Sequence, residues 1–201
     1  MPQKPLHVAS LDEAVEAIRQ IIHDNIVPGR SVVAIGGPVG SGKSTLASQL
    51  GGLMISTDHY LPDYAKVPDH ERDEPVHADF SRLAQDLTDL RQTGQAQIPQ
   101  WCFQSHRRVG EWEAVATDRI VCEGIFALHP TIAHLTDIRV LVEAGPQTRW
   151  KRWERIEELG ERGMGVEAAR EHFDAIAEPI YRKYAPLYEA DLDLIVHNEG
   201  V

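Results

Sequence analysis

The chain has 201 residues, with 20 lysines and arginines against 31 aspartates and glutamates, and a formal net charge of −11. That length suits one domain with a full core, here residues 1–201. The acidity excludes a broad nucleic-acid footprint, which needs a basic face, but leaves room for a small phosphorylated ligand held by local positive charge.

Two cysteines, Cys102 and Cys122, lack metal-ligand spacing and read as thiols of a reducing compartment. No apolar run reaches the ~18 residues of a membrane span. Met1–Leu6 lacks the apolar core of a signal peptide. A cytoplasmic protein with no membrane or nucleic-acid partner is expected, with homo-oligomerisation left open.

In chain order, Ser10-Leu-Asp-Glu13 has the capping-box pattern. Leu11, Ala14, Val15, Ile18, Ile21 and Ile22 then make one apolar helix face in an N-terminal segment, residues 1–30, that ends at Pro28-Gly29. Ser31–Ile35 is short, apolar and β-branched, as a buried parallel strand should be. Residues 37–44, Gly-Pro-Val-Gly-Ser-Gly-Lys-Ser, satisfy GxxxxGK[ST], the phosphate-binding P-loop. Thr45–Leu50 has helical spacing, so the run reads strand, glycine loop, helix.

Gly51-Gly52 breaks the chain, and Leu53–Thr57 reads as a second strand ending at Asp58. Pro62, Pro68, Pro75 and several acids make residues 62–78 a long surface loop. Phe80, Leu83, Leu87 and Leu90 mark a helix that stops near Gly94, and residues 96–116 read as a short strand or hairpin. Arg119–Glu123 and Ile138–Val142 are further strands, 146–159 and 165–178 are helical, and Leu192–Val196 closes the sheet. This alternation predicts an α/β, three-layer P-loop fold with a central, mostly parallel sheet covered on both faces.

The chemistry follows from the loop. Glycines let it curl with positive φ and place no Cβ against a phosphate. Successive N–H groups then face one concavity, and the next helix adds its positive end. Gly37, Gly40, Ser41, Gly42 and Thr45 are therefore candidate ATP contacts. Lys43 would reach the β- and γ-phosphates, and the Ser44 hydroxyl would serve Mg²⁺.

Ligands of such sheets bind beyond the carboxyl ends of the strands. Asp58 and Glu123 fall there, fitting a second metal anchor and a group that receives the acceptor's proton. Asp58 in that role favours transfer to an alcohol over plain hydrolysis. Arg149, Arg152 and Arg155 recur every three residues on one helix face, with Trp150, Trp153 and Ile156 as the packing stripe beside it. Such a row can neutralise a loose transition state, and Gly160, Gly163 and Gly165 can let residues 145–165 act as a lid. Histidines at 59, 70, 77 and 129 match no ligand spacing. Trp101 reads equally as a stacking surface or a buried aromatic.

Several pieces, in order, resemble the uridine kinase-like P-loop kinases, a group with phosphoribulokinase and bacterial pantothenate kinase as relatives. They are Gly37–Ser44, Ser56-Thr-Asp-His-Tyr60, Asp73-Glu-Pro75, Pro99–Arg107, Cys122-Glu-Gly-Ile125, the arginine helix with Glu161-Arg162-Gly163, and Ala190-Asp191. The resemblance implies that Ser44, Asp58 and Glu123 surround Mg²⁺ and that Asp58 serves the acceptor hydroxyl. It implies Asp73 on ribose hydroxyls and His106 on a base; Trp101 and Arg107 are further candidate substrate contacts. It also implies Arg152, Arg155 and Arg162 in the lid. The acceptor side departs from the pattern: uridine kinases show Tyr-Asp-Phe where this chain has Trp101-Cys102-Phe103, an aromatic residue where it has Leu61, and an arginine where it has Met164.

The expectation is an ATP- and Mg²⁺-dependent phosphotransferase acting on a hydroxyl of a small metabolite, such as a nucleoside. The alternatives are a kinase of a non-nucleoside alcohol, for example a vitamin precursor or sugar derivative, and a nucleotide-binding regulator without kinase activity.

Overall fold

The computed structural model describes residues 4–24 and 29–200. The chain runs through β1 (Leu6–Val8), α1 (Leu11–Asp24), β2 (Ser31–Gly36), α2 (Lys43–Leu50) and β3 (Leu53–Ser56). After a series of 3-10 turns come α3 (Phe80–Thr93), β4 (Gln95–Cys102), β5 (Arg107–Val115), β6 (Arg119–Glu123) and β7 (Ile138–Glu143). The remainder is α4 (Pro146–Glu158), α5 (Val166–His172), a π turn (Phe173–Ala177), α6 (Glu178–Tyr188) and β8 (Leu194–His197).

Six strands form one sheet in the order β1-β8-β7-β2-β6-β3, and every pairing in it is parallel. All six residues of β2 are buried, because helices cover both faces of the centre. Val33 and Ile35 face α1 and α2, packing with Ala14, Ile18, Leu46 and Leu50. Val32 faces the other way, onto Leu83, Leu87 and Leu90 of α3, and Ala34 packs near Tyr188 and Leu192. The alternation follows from the two-residue period of a strand.

Cap signals read from the sequence act as expected. The Ser10 hydroxyl accepts the Glu13 amide at 3.2 Å, and the Glu13 carboxylate accepts the Ala9 amide at 2.9 Å. Gly94 ends α3 in the left-handed conformation. The helix end assigned to Pro28-Gly29 falls at Pro28 outside the described residues.

Two sequence expectations need correction. Residues 192–196 do not close the sheet, because β1 pairs outside β8. That strand is three residues long with two exposed, so it carries no readable pattern. The helix expected over 165–178 continues through α6 to Tyr188. A π turn stands immediately before Glu178-Pro179, where the proline's missing N–H would break a regular α ladder.

The surface loop at 62–78 carries more local structure than the sequence suggests. It folds into 3-10 turns at Tyr64–Lys66, Asp69–Glu71 and Pro75–His77, with Val67 and Pro75 buried. Arg108 of β5 holds the start of this segment through Leu61 O, Tyr60 O and Asp79. The region at 96–116 is a hairpin, β4 with β5, forming its own two-stranded sheet.

Candidate active site

The strand register builds the site. Glu123 at the end of β6 lies level with Ile35 of β2 and Ser56 of β3, so the P-loop and the turn carrying Asp58 leave the sheet on either side of it. Two backbone approaches require glycine. An added Cβ on Gly37 would lie 2.2 Å from Val142 O, and one on Gly124 would lie 1.9 Å from Thr57 Oγ1; both have positive φ.

Gly40, Gly42, Lys43, Ser44, Thr45, Asp58, Asp73, His106, Glu123, Arg152 and Arg162 together line one cleft of about 310 Å³. At its P-loop end, Ser44 Oγ donates to Glu123 Oε2 at 2.9 Å, and Lys43 Nζ donates to Pro38 O at 2.8 Å. Burial draws the Lys43 ammonium down to about 8, against the pull of Glu123 and Asp58 that favours its charge. Burial also raises the Glu123 carboxyl, and the neighbouring Asp58 charge adds to that. Lys43, Ser56 and Ser44 oppose the rise. The P-loop end thus concentrates a buried cation and two mutually repelling carboxylates beside a hydroxyl.

The opposite end of the cleft is made of side chains. The Tyr64 ring lies nearly parallel to His106, with centroids 5.1 Å apart and planes at 7°. The Arg72 guanidinium sits 4.7 Å from the centre of the Tyr64 ring. Asp73 Oδ2 meets Nε2 of His172 on α5 at 3.2 Å, and both side chains are largely buried. His106 occupies the hairpin turn at φ 48, a left-handed conformation uncommon for a side-chain-bearing residue. Burial, then the Arg72 charge, holds its imidazole below the usual range.

Above the cleft, α4 and the turn after it dock on the hairpin tip. Gln104 Nε2 donates to Gly160 O at 2.7 Å, and the Arg162 guanidinium lies 4.8 Å from the centre of the Phe103 ring. Glu157, buried, accepts the amides of Met164 at 3.1 Å and Gly165 at 2.9 Å, which fixes the glycine turn.

Other residues singled out in the sequence lie elsewhere. Gly37 forms the base of the P-loop, and Ser41 is fully buried under it. Trp101 is a buried aromatic, tilted against Tyr64 at 5.3 Å, and does not line the cleft. Arg107 is exposed and outside the lining, while its neighbour Arg108 stitches the hairpin to the 62–78 segment.

The arginine row does not share one outward face. Arg149 is buried and paired with Glu178 on α6. Arg152 spends its guanidinium on backbone carbonyls, including Gly40 O and Ser41 O. The Arg155 side chain is 69% exposed and bonds Glu158, away from the cleft. The tryptophan stripe packs as expected, with Trp150 and Trp153 against Phe173.

The sequence reading missed Tyr64, His172 and Glu157, which all line the cleft. Tyr64 lay inside a stretch read as loop. Glu157 sits on the helix read for its arginines and tryptophans, and His172 on one read only as helical.

Comparison with known proteins supplies the context. A family model described as "Phosphoribulokinase / Uridine kinase family" matches residues 62–199. A uridine kinase of Staphylococcus carnosus is 27% identical over 184 residues, covering 85% of this chain and 88% of that protein. Uridine-cytidine kinase C of Dictyostelium discoideum is 27% identical over 192 residues, covering 90% of this chain and 40% of that protein.

Among solved structures, a putative fructose transport system kinase from Silicibacter sp. TM1040 superposes with a TM-score of 0.74 at 19% identity, covering 94% of this chain and 99% of that one. A possible uridine kinase from Bacillus stearothermophilus gives a TM-score of 0.60 at 17% identity, covering 92% and 98%. At these identities the superpositions establish the fold: a three-layer P-loop kinase with a parallel central sheet.

Proposed function

The chain belongs to the phosphoribulokinase / uridine kinase family, and from that premise we propose that this small-molecule kinase moves the γ-phosphoryl of ATP, with Mg²⁺, to a hydroxyl of a small metabolite. The observation that carries the reading is the donor-end cluster: buried Lys43, the Ser44–Glu123 pair at 2.9 Å, and Asp58 close enough to raise the Glu123 carboxyl.

The donor set fits Mg²⁺. Ser44, Asp58 and Glu123 offer only hard oxygen atoms, and two facing carboxylates favour a divalent cation between or beside them. When bound, the ion would spread the negative charge of the transferring phosphoryl. The chain's own groups do the rest. The P-loop amides and Lys43 hold the phosphates, and Glu123 keeps the Ser44 hydroxyl oriented. Asp58 accepts the proton of the acceptor hydroxyl as its oxygen bonds the γ-phosphorus and the bond from that phosphorus to the β,γ-bridging oxygen breaks, releasing ADP. Asp73 and His172 bind further acceptor hydroxyls, and the docked turn at 160–165 limits entry of water.

Asp58→Asn tests the central assignment. ATP affinity measured by titration calorimetry should stay within about threefold, while kcat falls by about 10²–10⁴. A variant that keeps near wild-type kcat contradicts it.

One observation favours the second reading, a non-nucleoside acceptor. The His106 ring, which a nucleoside base would approach, already lies against Tyr64 at 5.1 Å. Assaying uridine and cytidine beside sugars, sugar acids and vitamin-like alcohols separates the two. Product from either nucleoside supports the first, and product only from another alcohol supports the second. A regulator without kinase activity has no use for an acceptor-side acid such as Asp58.

A further inference from the structure

Three successive carbonyls of the phosphate loop are held by arginines of α4. Arg149 Nη1 donates to Val39 O at 3.3 Å, and Arg152 Nη1 donates to Gly40 O at 3.1 Å and Ser41 O at 3.2 Å. Asn198, just past β8, adds a second donor to Ser41 O, with Nδ2 2.8 Å away. The far side of the Arg152 guanidinium is fixed in turn on Asn198 O at 2.9 Å and on Gly200 O. Arg152 thus straps the loop to the end of the sheet.

The consequence is geometric. A trans peptide is planar, with its C=O and the following N–H pointing opposite ways. Pinning the carbonyls of residues 39, 40 and 41 therefore turns the amides of Gly40, Ser41 and Gly42 to the other side. Gly40 and Gly42 line the cleft, and their amides meet no acceptor among the described residues. The Ser41 amide turns back to Pro38 O at 3.3 Å. A cation on each carbonyl also polarises the peptide, leaving the N–H end more positive.

We propose that Arg152, assisted by Asn198, is a positioning residue for the nucleotide: it aims the P-loop amides at the phosphates and does not contact the transferred phosphoryl. This departs from the sequence-based expectation that Arg152 neutralises the transition state. It rests on the nucleotide reading above.

Titration calorimetry with ATP, ADP and AMP, run on wild type, Arg152→Ala, Arg152→Lys and Asn198→Ala, tests it. Arg152→Ala should weaken ATP and ADP alike by about tenfold to a hundredfold and AMP, which lacks the β-phosphate, by less than about twofold. Asn198→Ala should weaken ATP and ADP by about threefold, and Arg152→Lys should recover part of the loss. At saturating ATP, the fall in kcat of Arg152→Ala should be smaller than its loss of ATP affinity, a KM-against-kcat split that a residue contacting the transferred phosphoryl would not show.

Unchanged ADP affinity in Arg152→Ala with a collapsed kcat overturns the proposal and assigns Arg152 to the phosphoryl itself. If Arg152→Ala lacks a cooperative thermal transition, Asn198→Ala carries the test, and unchanged ADP affinity there overturns it. A wild-type protein that binds neither ATP nor ADP sinks the nucleotide reading as well. A wild type that binds both, with variants that bind equally, sinks the clamp alone.

Discussion

At the donor end of the cleft, the groups facing a ligand are backbone amides and Lys43 on one contiguous run, Gly37–Ser44, braced by buried or half-buried charges behind it. At the acceptor end they are side chains delivered by separate elements: Tyr64 and Asp73 from the 3-10 segment, His106 from the hairpin turn, His172 from α5. A cradle of backbone amides tolerates little change, because its shape depends on φ values and close approaches at several successive residues. A pocket of side chains from distant elements can be re-aimed one substitution at a time. Under the proposed function, that difference lets one scaffold keep its phosphate grip while its acceptor changes.

The largest expected effect breaks the donor end alone. Lys43→Ala should lower kcat/KM by about 10³, read as ADP release at saturating acceptor. A loss under about tenfold would remove Lys43 from the phosphates.

Substitutions at the other end should separate the two halves. Asp73→Asn or His172→Ala should raise the acceptor KM about tenfold while the ATP KM stays within about twofold. A parallel rise in the ATP KM would merge the two ends into one.

Arg155→Ala sharpens the boundary of the site. Among the described residues its exposed side chain bonds only Glu158, so kcat and both KM values should stay within about twofold. A hundredfold fall in kcat would return Arg155 to the transition state.

The smallest effect concerns stability. His59, His106 and His129 are each held below the usual imidazole value of 6.5, chiefly by burial. As pH falls through 6.5 the unfolded chain takes up protons first, so the folded state loses stability until the folded values are passed. Thermal unfolding should shift down by a few degrees from about pH 7.5 to about pH 5.5. His129→Asn, which preserves an acceptor for the Thr131 amide, should show a smaller shift. An equal shift in that variant would acquit His129.

Legibility in the sequence follows the same division. Local signals sufficed for β2, the P-loop, the caps at Ser10 and Gly94 and the strand end at Glu123, because each rests on contiguous residues; β3 stops at Ser56 and Asp58 sits in the 3-10 turn that follows. The three-residue β1 has too few positions to show a period, and its pairing with β8 joins residues nearly the whole chain apart. Tyr64 and His172 were out of reach for another reason. Their roles arise when a proline-rich segment folds back onto the hairpin and α5, which no local pattern encodes. Arg149 and Arg152 had the right spacing for one face, yet that face turns inward because P-loop carbonyls and Glu178 are there to receive it.

The account stands most directly on the fate of the γ-phosphoryl. Phosphorus NMR of ATP and Mg²⁺ with the alcohol panel should show one phosphate ester growing in step with ADP. ADP appearing with inorganic phosphate alone, whatever alcohol is present, would contradict a kinase built around Asp58.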